Sequence, residues 1–278
     1  MEVFIAEYAG FCFGVKRAIN MALEAEKSAK SKVYTYGPLI HNPQVVAKFE
    51  KEGIKPVEDV SNIKPGSSII IRTHGVSPDK IDEFERKELS IIDATCPFVK
   101  KAQKYVEQLV KEGYQAVIIG ESEHPEVKGI CGFAEDKAIV IGNSEEAKKL
   151  QKFQKIGVVV QTTQSIENFR NTVGCLLEKA SEVKIYNTIC DATKKTQDSA
   201  LKLAKKSGIM IVIGGYNSAN TKHLAELCRS TGVPTYHIEG VLELKKGWFK
   251  NKKKVGVTAG ASTPEWVIKE VVDALKKI

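Results

Sequence analysis

Several absences narrow the reading before any motif is found. No apolar run approaches the roughly 18–20 residues that span a bilayer, so no membrane segment is expected. No C-x-x-C pair occurs, which removes zinc ribbons and ferredoxin-type cluster motifs. Neither a G-x-x-x-x-G-K-[ST] loop nor a G-x-G-x-x-G turn is present, which argues against ATP or NAD as a bound anion. No stretch is rich enough in Pro, Gly or Ser to act as a linker, so any domains are expected to pack closely. The opening MEVFIAEYAG carries Glu2 and Glu7 and no basic leader region, so cytoplasm is the expected compartment. There, six cysteines are expected as thiols or metal ligands rather than disulfides.

What remains is ordinary globular material, with 278 residues, 42% hydrophobic and 27% charged. The length suggests about two domains, with one or three allowed. Net charge is +8, which favours anionic partners: phosphorylated small molecules, acidic proteins or nucleic acid. The densest basic run is LKKGWFKNKKKVG, with Lys245, Lys246, Lys250, Lys252, Lys253 and Lys254 around Trp248 and Phe249. It reads as an exposed turn. Without a nucleic-acid motif it is taken as a solvated face, and no nucleic-acid partner is expected.

Short β-branched runs alternate with helix-period stretches. Strands are expected at Glu2–Ala6, Val33–Tyr36, Ser68–Arg72, Ser90–Asp93, Ala116–Ile119, Ala138–Ile141, Ile156–Val160, Val183–Asn187, Ile209–Ile213, Thr235–Ile238 and Lys254–Thr258. Helices are expected at Lys16–Ala29, Val99–Lys111, Ile166–Lys179 and Thr193–Lys206, among others. This alternation predicts an α/β fold with mostly parallel sheets.

A weak internal repeat runs through the chain: FCFGVKRAI from Phe11, TCPFVKKAQ from Thr95 and ICDATKKTQ from Ile189. Each has a cysteine after a short strand, then a basic pair on a helix. Cys12, Cys96 and Cys190 stand 84 and 94 residues apart. Three similar α/β repeats are therefore expected, at 11–95, 96–189 and 190–278, the last completed by the N-terminal strand of 1–10. Arranged pseudo-threefold, they would aim the three cysteines at one centre. Cys131, Cys175 and Cys228 lack the basic pair and read as small buried hydrophobes.

A thiolate at a strand-to-helix turn faces free N–H groups, which favour a ligand or nucleophile role. On the residues alone two readings stand. The three thiols are unrelated and buried, or they hold a metal: zinc with an open position, or three irons of a [4Fe–4S] cluster whose fourth iron is open to substrate. The strand ends are rich in neutral donors: Thr73-His74-Gly75, Glu121 to His124, Gln161 to Gln164, Gly214 to Asn220 and Ala259 to Ser262. Pro43, Pro78, Pro97, Pro125 and Pro264 each suit a first helical position. His41, His74 and His124 precede such prolines by one to four residues, which suits a phosphate or diphosphate site. His223 reads as a helix surface or packing residue and His237 as a strand residue. Glu126 is a favourable first-turn carboxylate, or a proton donor if burial raises its pKa.

The motifs GFCFGVKRAI, GPLIHNPQVV, RTHGVSP, DATCPFVKKA, GESEHPEVKG, QTTQS, NTICDAT, NSANTKHL and GASTPEWVI, in this order over nearly the whole chain, resemble the 4-hydroxy-3-methylbut-2-enyl diphosphate reductases of the LytB family. That resemblance implies three α/β domains around a [4Fe–4S] cluster, one per chain, on Cys12, Cys96 and Cys190. It implies diphosphate ligands at His41, His74, His124, Ser218, Asn220 and Ser262. Thr162 would lie beside the substrate hydroxyl, with Glu126 as proton donor. The implied reaction is reductive dehydroxylation of an allylic diphosphate to isopentenyl and dimethylallyl diphosphates, the last step of the methylerythritol phosphate route. Two positions depart from the pattern: Ala219 stands where a second Ser is common, and Thr196 where an Arg often precedes Gln. The charge suits an acidic electron donor such as ferredoxin or flavodoxin. Two other classes stay open: a zinc-dependent hydrolase of a phosphorylated metabolite, and a non-catalytic sensor of iron–sulfur status that binds nucleic acid.

Overall fold

Among the described residues, runs of branched aliphatic residues make twelve short strands, and amphipathic stretches between them make ten α-helices. The structure, a computed structural model, describes residues 1–29 and 31–278. In chain order the elements are β1 (Glu2–Ile5), α1 (Phe13–Ser28), β2 (Val33–Tyr36), α2 (Pro43–Lys51), β3 (Lys55–Val57), β4 (Ser68–Ile71), α3 (Pro78–Arg86) and β5 (Ser90–Asp93). Then come α4 (Pro97–Lys111), β6 (Gln115–Ile119), α5 (Pro125–Gly132), β7 (Ile139–Ile141), α6 (Ser144–Lys149), β8 (Phe153–Val160), α7 (Ile166–Leu176) and β9 (Ala180–Ile185). The last are α8 (Asp191–Ala204), β10 (Ile209–Ile213), α9 (Ala219–Arg229), β11 (Thr235–Ile238), β12 (Lys254–Ala259) and α10 (Glu265–Leu275).

The strands form three four-stranded sheets with all pairings parallel. Their orders are β3-β2-β4-β5, β7-β6-β8-β9 and β11-β10-β12-β1. The three orders are one order, shifted along the chain. In the third sheet the fourth place is taken by β1, which pairs with β12 from Glu2↔Lys254 to Ile5↔Val257. The N-terminal strand thus completes the last sheet, and each repeat cysteine follows a fourth-place edge strand.

Central strands are buried on both faces, as parallel sheets flanked by helices require. In β10, Ile209, Ile211 and Ile213 enter one core with Val255, Val257 and Val271. Met210 and Val212 enter another with Leu224 and Ala225. In β6, Ala116 and Ile118 pack with Val106 and Leu109, while Val117 and Ile119 pack with Phe169 and Leu176. Each fully buried aliphatic side chain contributes ~1.5–3 kcal/mol, so these alternating faces dominate the stability of the sheets.

The chain divides into two compact units. Unit I comprises Met1–Lys16, Ile40–Lys48 and Asp191–Ile278; unit II comprises Arg17–Leu39 and Phe49–Cys190. The third sheet lies in unit I, and the first and second lie in unit II.

Several expected elements are corrected. β3 is not among the expected strands, since Pro56 sits in it; at a sheet edge, beside β2 only, the missing N–H is tolerated. β9 is Ala180–Ile185, not Val183–Asn187, because its register is set by β8, from Phe153↔Ala180 to Val158↔Ile185. α7 stops at Leu176 rather than Lys179. Pro43, Pro78, Pro97 and Pro125 open helices, whereas Pro264 is the N-cap of α10, extended at φ −73° and ψ 153°. The lysine-rich turn is not an open aromatic face. Phe249 is buried, and Trp248 stacks on Tyr236 at 3.9 Å against the β10–β12 core.

Candidate active site

In unit II the loops at the carboxyl ends of the strands carry the expected residues and are bonded in series. Cys96 is the N-cap of α4, and its amide donates to the Thr73 carbonyl (2.9 Å), one residue before His74. Its approach strand is pinned: Arg17 donates to the Thr95 carbonyl (3.2 Å), and Lys100 pairs with Asp93 (2.5 Å). Burial pushes the Asp93 carboxyl up, but hydrogen bonds from Lys100 and Thr95 outweigh it and hold the group below its usual range. Arg17 and Lys100 belong to the basic pairs of the repeat, and here they serve the turn that presents Cys96.

His124 caps α5. Its Nδ1 accepts the Glu126 amide (3.1 Å), which leaves the proton of the neutral ring on Nε2. The His74 and His124 rings meet edge to face, with centroids 5.3 Å apart. Glu126 is 1% exposed. One carboxyl oxygen accepts the Thr162 amide (2.6 Å) and the other its hydroxyl (2.8 Å). Burial pushes the Glu126 pKa up to about 7, against those two hydrogen bonds, which pull it down. The Thr162 carbonyl in turn accepts the amide of Cys190 (3.1 Å). One connected path therefore runs from Cys190 through Thr162 and Glu126 to His124 and His74.

In unit I, Cys12 precedes α1. Its amide donates to the Ala261 carbonyl (3.1 Å), and the Val15 amide reaches its Sγ at 3.5 Å. The neighbouring Ser262 donates its hydroxyl to the carbonyl of His41 (3.3 Å). Ser218 caps α9 by accepting the Thr221 amide (3.3 Å), and the next turn buries Asn220, whose Nδ2 has no hydrogen-bond partner among the described residues. A buried amide donor of that kind is costly unless a ligand completes it. Gly215 packs on His41 so closely that a Cβ there would lie 2.4 Å from the His41 carbonyl oxygen.

Sequence reasoning missed what holds this rim. Glu239 accepts the Tyr216 amide (2.7 Å), and its carbonyl accepts Gln44 Nε2 (2.9 Å). Glu243 binds the Tyr216 hydroxyl and pushes that phenol up to about 12. His237 is half-buried, and its Nε2 donates to the Gly214 carbonyl (2.8 Å). Gln161, in the loop after β8, accepts the Glu121 amide (2.9 Å) and donates to Thr163 (3.1 Å), fixing the approach to His124. Gln44, Tyr216 and Gln161 lie in motifs the sequence brings forward, without a sign of these bonds, and His237 reads only as a strand residue; Glu239 and Glu243 carry no signal. Of the departures, Ala219 is buried at the first position of α9, and Thr196 is buried within α8.

None of the six cysteines is in a disulfide. Cys12, Cys96 and Cys190 are half-buried at helix starts, a soft-donor chemistry that fits a thiolate-held iron–sulfur group. Cys228 is buried, which pushes its thiol up to about 11 and suits a packing role.

Fold and sites together define an α/β protein with thiols, histidines and polar side chains at the carboxyl ends of its parallel strands. Comparison with known proteins is specific: the model of the LytB protein family matches residues 3–276, and the chain belongs to that family. A relative from Geotalea uraniireducens (strain Rf4), named 4-hydroxy-3-methylbut-2-enyl diphosphate reductase, is 54% identical over all of this chain and 98% of its own. One of that name from Geobacter sulfurreducens is 50% identical over 100% of this chain and 98% of its own. A solved structure of (E)-4-hydroxy-3-methyl-but-2-enyl diphosphate reductase, the terminal enzyme of the non-mevalonate pathway, is 45% identical over the whole of both chains, with a TM-score of 0.73. The reductase structure from Plasmodium falciparum is 32% identical over 99% of this chain and 88% of that one, with a TM-score of 0.94.

Proposed function

We propose that this chain is a cytoplasmic 4-hydroxy-3-methylbut-2-enyl diphosphate reductase. The observation that carries the reading, beyond family membership, is the buried Glu126 carboxyl bonded through both oxygens to Thr162. Cys12, Cys96 and Cys190 would hold one [4Fe–4S] cluster. When bound, that cluster supplies electrons singly and a Lewis-acidic iron. His41, His74, His124, Ser218, Asn220 and Ser262 would hold the diphosphate with neutral donors.

The overall change consumes two electrons and two protons, breaks the allylic C–O bond and releases water. The product carbon skeleton is protonated at one end or the other, giving isopentenyl or dimethylallyl diphosphate. With a pKa of about 7, Glu126 is half-protonated at neutral pH and can hold the proton that leaves with the hydroxyl. When Glu126 is protonated, its O–H donates to Thr162 Oγ1, and the threonine O–H turns toward the substrate hydroxyl. The pair thus passes a proton without exposing the site to water. An acidic carrier of the ferredoxin or flavodoxin kind would supply the electrons, and reduction by it should slow steeply with salt.

Anaerobically purified protein should contain about four iron and four acid-labile sulfide per chain. Glu126→Gln should keep that content and lose turnover by ~10²–10⁴-fold, the usual worth of a positioned proton donor. Zinc without sulfide, or full turnover in Glu126→Gln, would overturn the reading.

A further inference from the structure

We propose that the cleft at Arg72 is a second binding site, for a phosphoryl group, separate from the diphosphate ligands assigned above. The cleft lies within unit II and encloses about 440 Å³, the size of a small-molecule site. Arg72, directly after β4, lines it together with Lys80, Lys128, Ser77 and Glu58.

Three cations there meet three carboxylates, but only two of the cations are paired at contact distance. Lys80 is taken by Glu83 (2.6 Å) and Lys128 by Glu123 (2.8 Å). Arg72 has no such partner. Its Nε is closed to solvent without a hydrogen-bond acceptor, and no carboxylate reaches it at ion-pair distance among the described residues. Glu58 acts on it only through its field, while burial pushes the guanidinium pKa down. A half-buried cation whose Nε is closed to solvent and unbonded weakens a fold unless an anion completes it. A guanidinium offers a planar fork of donors matched to phosphate oxygens. Ser77 adds a hydroxyl that makes no capping bond to α3. Gly75 and Pro125 also line the cleft, next to His74 and His124. Occupancy would therefore bear on the loops of two proposed diphosphate ligands. That consequence rests on the proposed function; the binding itself does not.

The test is thermal melting of the full chain at constant ionic strength, with inorganic phosphate or glycerol 3-phosphate, and chloride or acetate as controls. Phosphate should raise Tm saturably in the wild type and in His74→Asn, and not in Arg72→Gln. In chloride, Arg72→Gln should melt at or above the wild type. Arg72→Lys, which keeps the charge and loses the fork, should fold and bind phosphate about tenfold more weakly. A larger rise with glycerol 3-phosphate marks a phosphorylated metabolite as the ligand; a larger rise with phosphate marks the free ion. A phosphate response lost in His74→Asn but kept in Arg72→Gln overturns the proposal. So do an equal response to acetate, no response, or an Arg72→Gln that melts well below the wild type in chloride. Failure of reductase turnover with the phosphate response intact would sink the proposed function and leave this site standing.

Discussion

At the scale of single residues, Glu126 shows how burial and hydrogen bonding set a proton inventory. Burial raises its pKa and Thr162 lowers it, and the balance falls at about 7. In the unfolded chain the same group titrates near 4.5. A folded pKa above the unfolded one means that the stability tied to the bound proton is complete below about pH 4.5. It is lost as pH rises through about 7, because the folded chain must then bury a charge. Between those limits the loss amounts to roughly 3 kcal/mol. Glu126→Gln has no proton to lose. Urea titrations at pH 5 and pH 8 should therefore show the wild type losing about that much more stability than the variant. Parallel losses would mean that Glu126 stays charged throughout, and its role as proton donor would go with it.

At the scale of elements, the strand-end loop at Gly215 is closely packed against the backbone of His41. Gly215→Ala places a methyl group 2.4 Å from the His41 carbonyl oxygen, a backbone atom that cannot rotate away. The expected outcome is a loss of about 1–3 kcal/mol in stability as the loop shifts. If His41 holds the diphosphate as proposed, its displacement should raise KM at least as much as kcat falls; an unchanged KM would separate this contact from the proposed substrate site. This is also the scale at which the sequence was most and least informative. Central strands such as β10 were legible because five consecutive buried aliphatics admit no other place. The helix starts were legible because prolines and cysteines mark them. The edges were not: β3 is short and holds a proline, and β9 alternates polar residues whose pairing depends on distant Phe153 to Val158. Among site residues, the histidines, Glu126 and the repeat cysteines stood out by position and motif. Glu239, Glu243 and the pinning role of Arg17 did not. A carboxylate that accepts a backbone amide across 23 residues leaves no local pattern.

At the scale of the whole molecule, one strand order used three times accounts for the chain's path. In the first and second sheets, the third strand, a helix and the fourth strand follow in sequence: β4-α3-β5 and β8-α7-β9. In the third sheet the corresponding set is β12-α10-β1, in which α10 and β1 do not follow one another in sequence. Three residues join α3 to β5, at 87–89, and three join α7 to β9, at 177–179. Joining Ile278 to Met1 would place four residues, 276–278 and 1, between α10 and β1. That is long enough for the right-handed crossover that links parallel neighbours. A chain closed there and reopened between Gln151 and Lys152, two exposed residues ahead of β8, should fold to the same three sheets. Its urea midpoint should lie near that of the wild type, and its thiols should take up iron and sulfide to the same content. A permutant that aggregates, or folds without its iron, would show that β1 must be free at its N-terminus for the third sheet to close, and the three repeats would then not be equivalent.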